Sequence, residues 1–167
     1  YGMRNGIEGF LKGRMIDLSL TLDASSLERL KYTPGSYLGS CRCRLPDDLS
    51  DPVYAALFDL LDKQDIGYVL YIGGNDSMDT VSKLAACASK LGSDIRFVGI
   101  PKTIDNDLVL TDHTPGFGSA AKYVAAAVQE ICTDAAVYDA PSVTIVEIMG
   151  RHAGWLTASA ALARRYK

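Results

Sequence analysis

The chain has 167 residues, of which 48% are hydrophobic and 22% are charged, and its formal net charge is −3. This length fits one globular domain with a sizeable core, and the composition excludes a disordered or fibrous protein. Lys and Arg form no basic stripe, which argues against nucleic acid as a partner. No apolar stretch approaches the roughly 20 residues that span a bilayer, so we expect no membrane association and a cytoplasmic location.

The cysteines and the first residue give two further expectations. The cysteine spacings match neither a C-x-x-C pair nor a zinc ribbon, so we expect reduced thiols and no structural metal. The chain opens at Tyr1 without an initiator Met. We therefore expect an interior piece of a longer protein, with sequence missing at both ends.

The first part of the chain is punctuated by glycines. Residues 1–44 show only short apolar pairs, which predict loops with one or two short helices. Ser50, Asp51 and Pro52 then form a helix start, and apolar residues recur at helical spacing up to about Gln64. This pattern predicts an amphipathic helix.

Strand and helix patterns alternate from residue 68 onwards. We predict strands at 68–72, 96–100 and 143–149, the first of them buried on both faces, and helices at 77–91, 118–133 and from 153 to the C-terminus. A long loop follows the second strand. The alternation predicts an α/β fold in which helices cover both faces of a parallel sheet, with residues 1–167 forming a single lobe.

Ligands of open parallel sheets bind beyond the carboxyl ends of the strands, where this sequence places three polar segments. The first contains Gly73 and Gly74, which let a phosphate approach the backbone and the N-terminus of the next helix. The same glycines followed by Asn75, Asp76 and Ser77 are also typical of an ordinary capped turn between a strand and a helix. The spacing leaves both interpretations open.

The second segment carries two carboxylates. Asp105 could accept a hydroxyl proton, Lys102 supplies positive charge, and Asp107 could bind a metal ion, which are the parts that phosphoryl transfer to an alcohol requires. The alternative is an Asx-rich loop whose side chains bond their own backbone.

The third segment places Arg151 after Gly150, where its guanidinium could bind a phosphate. Met149 could be a core residue at a strand end or could border a ligand. Arg42 could bind phosphate or only surface acids.

Together, three motifs resemble the phosphofructokinase family. They are Gly-Gly-Asn-Asp-Ser (73–77), Pro-Lys-Thr-Ile-Asp-Asn-Asp (101–107) and Met-Gly-Arg-His-Ala-Gly (149–154). They occur in the family's order, and the resemblance extends over the whole chain. It implies phosphoryl transfer to the 1-hydroxyl of fructose 6-phosphate.

The resemblance also implies roles for individual residues. Asp105 would be the base, beside Thr103 and Asp107, which would hold the substrate and the metal-bound donor. The other implied contacts are with fructose 6-phosphate, through Met149, Gly150 and Arg151, and with the donor phosphates, through Gly73, Gly74 and Arg42.

Two positions imply that the donor is pyrophosphate. ATP-dependent members have glycine where this chain has Asp76, whose carboxylate would exclude the α-phosphate of a nucleotide by its size and charge. Lys102 resembles the lysine that stabilises the transferring phosphoryl group.

Asn75 replaces an aspartate that binds Mg²⁺ in most of the family, so its neutral oxygen should hold the ion more weakly.

The resemblance also bears on the rest of the protein. The family's glycine-rich phosphate loop would precede Tyr1 and a second lobe would follow Lys167, so we expect this piece alone to be inactive. A homo-oligomer, a dimer or tetramer, is implied. An ATP-dependent enzyme and a non-catalytic binding subunit remain alternatives.

Overall fold

The computed structural model describes residues 1–163, which divide into two compact units. The first unit comprises residues 1–71 and 79–98, and the second comprises residues 72–78 and those from 99 onwards.

The first unit opens with a small hairpin and short helices. Strands β1 (Gly2–Met3) and β2 (Met15–Ile16) pair antiparallel. The helices of this region are α1 (Gly6–Leu11), α2 (Leu18–Thr21) and α3 (Ala24–Leu30). Loops and short helices were predicted here, whereas the hairpin was not, because two-residue strands leave no periodic pattern.

The main elements follow in the predicted order. They are α4 (Pro52–Lys63), β3 (Tyr68–Gly73), α5 (Asn75–Leu91) and β4 (Arg96–Pro101). Asp51 caps α4 by accepting a hydrogen bond from the Val53 N–H at 2.9 Å, and proline occupies the first position of the helix. The predicted helix start is therefore confirmed.

Strands β3 and β4 form a parallel pair. Gly67 O accepts from Arg96 N at 2.9 Å and Gly73 O accepts from Lys102 N at 2.8 Å, so the two strands run in the same direction. Helix α5 connects them, as expected of a β-α-β unit. The predicted α/β class is confirmed.

The core of the first unit lies between the helices and one face of the strands. Tyr54, Leu57 and Phe58 of α4 pack with Leu84 and Cys87 of α5. The partly buried Val69, Tyr71 and Phe97 line it from the strands, and the Phe58 and Phe97 rings meet edge to face at 5.8 Å. Burying these aromatic and aliphatic side chains drives the assembly of the unit.

The first strand differs from the prediction of burial on both faces. Burial alternates along β3, so that Tyr68, Leu70 and Ile72 are exposed. The apolar run hid this alternation, since all of its side chains are hydrophobic.

The second unit contains the polar loops and the last helices. Helix α6 (Phe117–Ala135) contacts α7 (Trp155–Ser159) and a 3-10 helix (Ala160–Ala163). The helix predicted from residue 153 thus begins as two short helical segments, and the end of that prediction, residues 164–167, lies outside the described residues.

The third predicted strand is wrong. Residues 143–149 have no regular structure, and Val143 and Ile145 are each 90% exposed. A β-branched run becomes a strand only when a neighbouring strand completes its hydrogen bonds. Within the part of the chain that the structure describes, no strand pairs with this run.

None of the helices within residues 1–163 combines the length and apolarity needed to cross a membrane.

Candidate functional site

The site lies in the second unit, where β3 and β4 end. The end of β3 leads through Gly73 and Gly74 into α5, and the end of β4 leads into the loop 101–115. Because Gly73 O accepts the Lys102 N–H at 2.8 Å, the two loops begin side by side. The parallel pairing thus brings the first two predicted polar segments together.

In the first loop, the backbone at Gly73 lies very close to Ser77 in the first turn of α5. A β-carbon on Gly73 would lie 2.1 Å from Ser77 Oγ and 2.5 Å from Ser77 Cβ, which is closer than real atoms come. Gly74 O accepts from the Ser77 and Met78 N–H groups, both at 3.0 Å, and so closes the first turn of α5. The N–H groups of Asn75 and Asp76 therefore point out of the helix end, the environment that suits an anion.

Asp76 lies in the first turn of this 17-residue helix, and its side chain is exposed. A carboxylate there is favoured by the helix dipole. It also adds negative charge beside the N–H groups that would otherwise receive an anion. A bulkier anionic ligand therefore meets both a side chain and a like charge.

The second loop holds Asp105 close to its own backbone. The Asp105 N–H donates to Thr103 Oγ1 at 3.0 Å, and the Asp105 side chain is half-buried. Thr114, only 3% exposed, donates its hydroxyl to Thr103 O at 2.6 Å. Two threonines thus hold the chain on the N-terminal side of Asp105.

An amide and a carboxylate meet between the two loops. Asn75 Nδ2 donates to Asp107 Oδ2 at 3.2 Å. If the Asn75 amide turned over, its oxygen would stand beside the carboxylate, so the pair can offer two hard oxygen ligands of the kind that Mg²⁺ prefers. Within residues 1–163 no group of three or more His, Cys, Asp or Glu side chains could hold a metal ion, so other ligands would have to come from water and phosphate.

The predicted sugar-phosphate residues are less regular. Met149, Gly150 and Arg151 are exposed and follow an irregular segment rather than a strand, which corrects the predicted strand end. A β-carbon on Gly150 would lie 2.3 Å from Ala153 O, so a tight turn at this position requires glycine. The structure leaves the ligand contacts of these residues as predictions.

Arg42 belongs to the first unit, in which its side chain is exposed. The next part of its segment is firmly held. Leu45 is buried, Tyr54 Oη donates to Pro46 O at 2.6 Å, and Lys83 Nζ donates to Leu45 O at 3.1 Å. The role of Arg42 stays a prediction.

Asn106 is a residue of the second loop for which no role was predicted. Its φ is 57°, in the left-handed region, and its amide bonds the loop at two points. The signal was present in the Asp-Asn-Asp run, because asparagine is one of the few residues with a β-carbon that visits this conformation readily.

A parallel β-α-β unit that gathers a helix N-terminus, two carboxylates and an amide beyond its strand ends defines an α/β protein with a ligand site at the carboxyl edge of its sheet. The family model described as phosphofructokinase matches residues 1–166. The chain belongs to the phosphofructokinase family.

Individual relatives agree with this assignment. The chain is 48% identical over 163 residues to the pyrophosphate--fructose 6-phosphate 1-phosphotransferase of Xanthomonas campestris pv. campestris, a match that covers 96% of this chain and 39% of the relative. It is 33% identical to the ATP-dependent 6-phosphofructokinase of Mycobacterium bovis, covering 97% of this chain and 43% of the relative.

A solved structure is also similar. The pyrophosphate-dependent phosphofructokinase of Marinobacter aquaeolei matches with a TM-score of 0.84 and 42% identity, over 100% of this chain and 41% of that one. The chain thus spans about two fifths of the length of these relatives.

Proposed function

We propose that the protein containing this chain transfers a phosphoryl group from pyrophosphate to the 1-hydroxyl of fructose 6-phosphate, giving fructose 1,6-bisphosphate, and that it does so reversibly with Mg²⁺. The observation that carries the proposal is Asp76 in the first turn of α5, beside a loop that holds Asp105 and Asp107. The names of the relatives at 42–48% identity support the same donor and acceptor.

The residues of the second loop divide the chemistry between them. Asp105 accepts the proton of the attacking 1-hydroxyl, and the positive charge of Lys102 stabilises the phosphoryl group as it moves. Thr103 orients Asp105 by accepting the Asp105 N–H at its hydroxyl oxygen, and Thr103 also contacts substrate. Positioning and electrostatic stabilisation are the main contributions that a protein makes to phosphoryl transfer.

The first loop binds the donor. Gly73 and Gly74 let a phosphate approach the N-terminus of α5, and Arg42 contributes a further positive charge to the donor. Asp76 leaves room for two phosphates and repels a nucleotide by its size and charge. Pyrophosphate is consequently accepted and ATP is refused.

Asp107 and Asn75 are the residues that would hold the Mg²⁺, together with oxygens of the donor. The ion, when bound, neutralises charge on the donor phosphates. Asn75 supplies only a neutral oxygen, so the site depends on Asp107 and on phosphate for its affinity.

The sugar phosphate is held by Met149, Gly150 and Arg151, with Arg151 pairing with its phosphate. Further ligands come from outside this chain, and the chain alone does not turn over substrate. The whole protein acts as a homo-oligomer, a dimer or tetramer, in the cytoplasm.

The test is a donor comparison with the full-length protein. With fructose 6-phosphate and Mg²⁺ held constant, we expect turnover with pyrophosphate and little or none with ATP. Faster turnover with ATP would favour the second candidate, an ATP-dependent 6-phosphofructokinase, which the Mycobacterium bovis relative motivates. Sugar-phosphate binding without turnover by either donor would identify a non-catalytic subunit.

A further inference from the structure

Asn106 stands between the two carboxylates of the loop in a backbone conformation that few residues adopt. Its φ of 57° lies in the left-handed region, which is unfavourable for most residues with a β-carbon but which asparagine tolerates. The direction in which the chain leaves Asp105 and enters Asp107 therefore depends on this one residue.

Both ends of the Asn106 amide are used. Its Nδ2 donates to Asp112 O at 3.1 Å, and its Oδ1 accepts from the Thr114 N–H at 2.9 Å. The side chain is half-buried, so these bonds are partly shielded from water. The amide thus closes the loop from residue 106 to residue 114.

Thr114 links the two sides of Asp105. Its hydroxyl donates to Thr103 O at 2.6 Å while its N–H donates to Asn106. Thr114 is buried, and the residues before and after Asp105 are therefore tied to one fixed point. Removing the Asn106 amide would break the hydrogen bond from the Thr114 N–H and leave only the one to Thr103 O.

We infer that Asn106 is a positioning residue for phosphoryl transfer, which holds Asp105 and Asp107 in place through its left-handed backbone and its two amide bonds. The inference rests on the proposed function. Misplacing a reacting group by about 1 Å can cost roughly 100-fold in rate, so a loosened loop should lower turnover more than it weakens substrate binding.

The test compares variants of the full-length protein. Asn106→Gly keeps access to the left-handed backbone and removes both amide bonds. We expect kcat with pyrophosphate to fall by about 10- to 100-fold, while KM for fructose 6-phosphate changes less than about threefold.

Leu110→Gly is the matched control. Leu110 lies in the same loop with a φ of 56° and is fully exposed, so its replacement also introduces a flexible residue at a left-handed position. We expect its kcat to stay within about twofold of the parent. An equal loss of kcat in Leu110→Gly would show that loop flexibility alone causes the effect, and would overturn the role of the amide.

Other outcomes are equally decisive. An unchanged kcat in Asn106→Gly overturns the inference, and so does a loss of activity that merely follows a lower unfolding midpoint. If Asn106→Gly does not fold, Asn106→Asp takes its place, because it keeps the acceptor for the Thr114 N–H and loses the donor to Asp112 O. The inference then requires that Asn106→Asp folds and has a reduced kcat with little change in KM. If the parent is inactive with both donors, the proposed function fails, and this inference fails with it.

Discussion

At the scale of single residues, the most restrictive contact of the site is between Gly73 and Ser77. Because a β-carbon on Gly73 would lie 2.1 Å from Ser77 Oγ and 2.5 Å from Ser77 Cβ, no rotation of the serine side chain would relieve both contacts. The start of α5, with the N–H groups that face the proposed donor, would have to shift.

Replacing Gly73 by Ala should therefore reduce both stability and turnover. Overpacking of this kind costs about 1–3 kcal/mol, which urea unfolding of the full-length protein would measure. Gly67→Ala is the control, because a β-carbon there has no neighbour within 4 Å. Equal stability of the Gly73 and Gly67 variants would show that the start of α5 yields without cost.

The second prediction at this scale concerns how the stability of the protein depends on the ionisation of Tyr71. Burial, together with a smaller contribution from Cys41 and Cys43 nearby, raises the pKa of Tyr71 to about 12. A phenol with a pKa near 10 in the unfolded chain and near 12 in the folded one favours the folded state below pH 10. This contribution is lost as the pH rises through about 12.

Alkaline titration can detect this phenol among the nine tyrosines. The pKa of the buried Tyr54 is also raised, so the tyrosinate absorbance of the folded protein should contain late steps. Tyr71→Phe should remove the step near pH 12. A Tyr71→Phe titration that loses a step near pH 10 instead would contradict the burial of this hydroxyl.

At the scale of elements, Lys83 of α5 binds the loop that follows Arg42, through Leu45 and Asp47. Lys83 is only 12% exposed in its side chain, and its Nζ lies 2.6 Å from Asp47 Oδ1 and 2.8 Å from Asp79 Oδ2. It also donates to the carbonyl of the buried Leu45. The hydrogen bond and the charge of Lys83 lower the pKa of Asp47, and those of Asp47 and Asp79 raise the pKa of Lys83.

We expect Lys83→Met to lower the thermal unfolding midpoint of the protein by several degrees, because the Leu45 carbonyl loses this donor and the two aspartates lose their shared cation, with Arg44 left as the partner of Asp47 at 3.8 Å. Lys90→Met is the control, since Lys90 lies exposed on the same helix. The loss caused by Lys83→Met should shrink at acid pH, where Asp47 takes up its proton and the parent also loses the pair. A loss that persists unchanged at acid pH would mean that the ion pairs contribute nothing.

The elements also show what the sequence could predict. Helices α4, α5 and α6 match the predictions from their apolar periodicity to within a few residues, and strands β3 and β4 match the predictions from their apolar runs. The run 143–149 is as rich in strand-forming residues as β3 and β4, but no strand among the described residues pairs with it. Strand propensity alone does not reveal whether a pairing strand exists. Pairing is a long-range property, whereas helical periodicity is local.

The same distinction applies to the site. The polar residues after β3 and β4 were predictable, because parallel strands bring their carboxyl ends to one edge. The bond from Asn75 to Asp107 and the closure of the loop by Asn106 and Thr114 were not, since they depend on the path of a long loop. Side-chain roles within that loop became visible only in three dimensions.

At the scale of the whole molecule, the proposed choice of pyrophosphate as donor depends on Asp76. The chain spans about two fifths of its relatives, so the proposed reaction belongs to the larger protein. The proposed exclusion of ATP, however, would be a property of one carboxylate at the start of α5, and its contributions from size and from charge can be separated. Asp76→Asn removes the charge and keeps the size, whereas Asp76→Gly removes both.

The most direct measurement is therefore kcat/KM with ATP relative to pyrophosphate in the parent, Asp76→Asn and Asp76→Gly. Because a like charge beside a ligand disfavours its binding, we expect the ratio to rise at least about tenfold in Asp76→Gly, with Asp76→Asn intermediate. A ratio that is the same in all three proteins would contradict the claim that this carboxylate selects the donor.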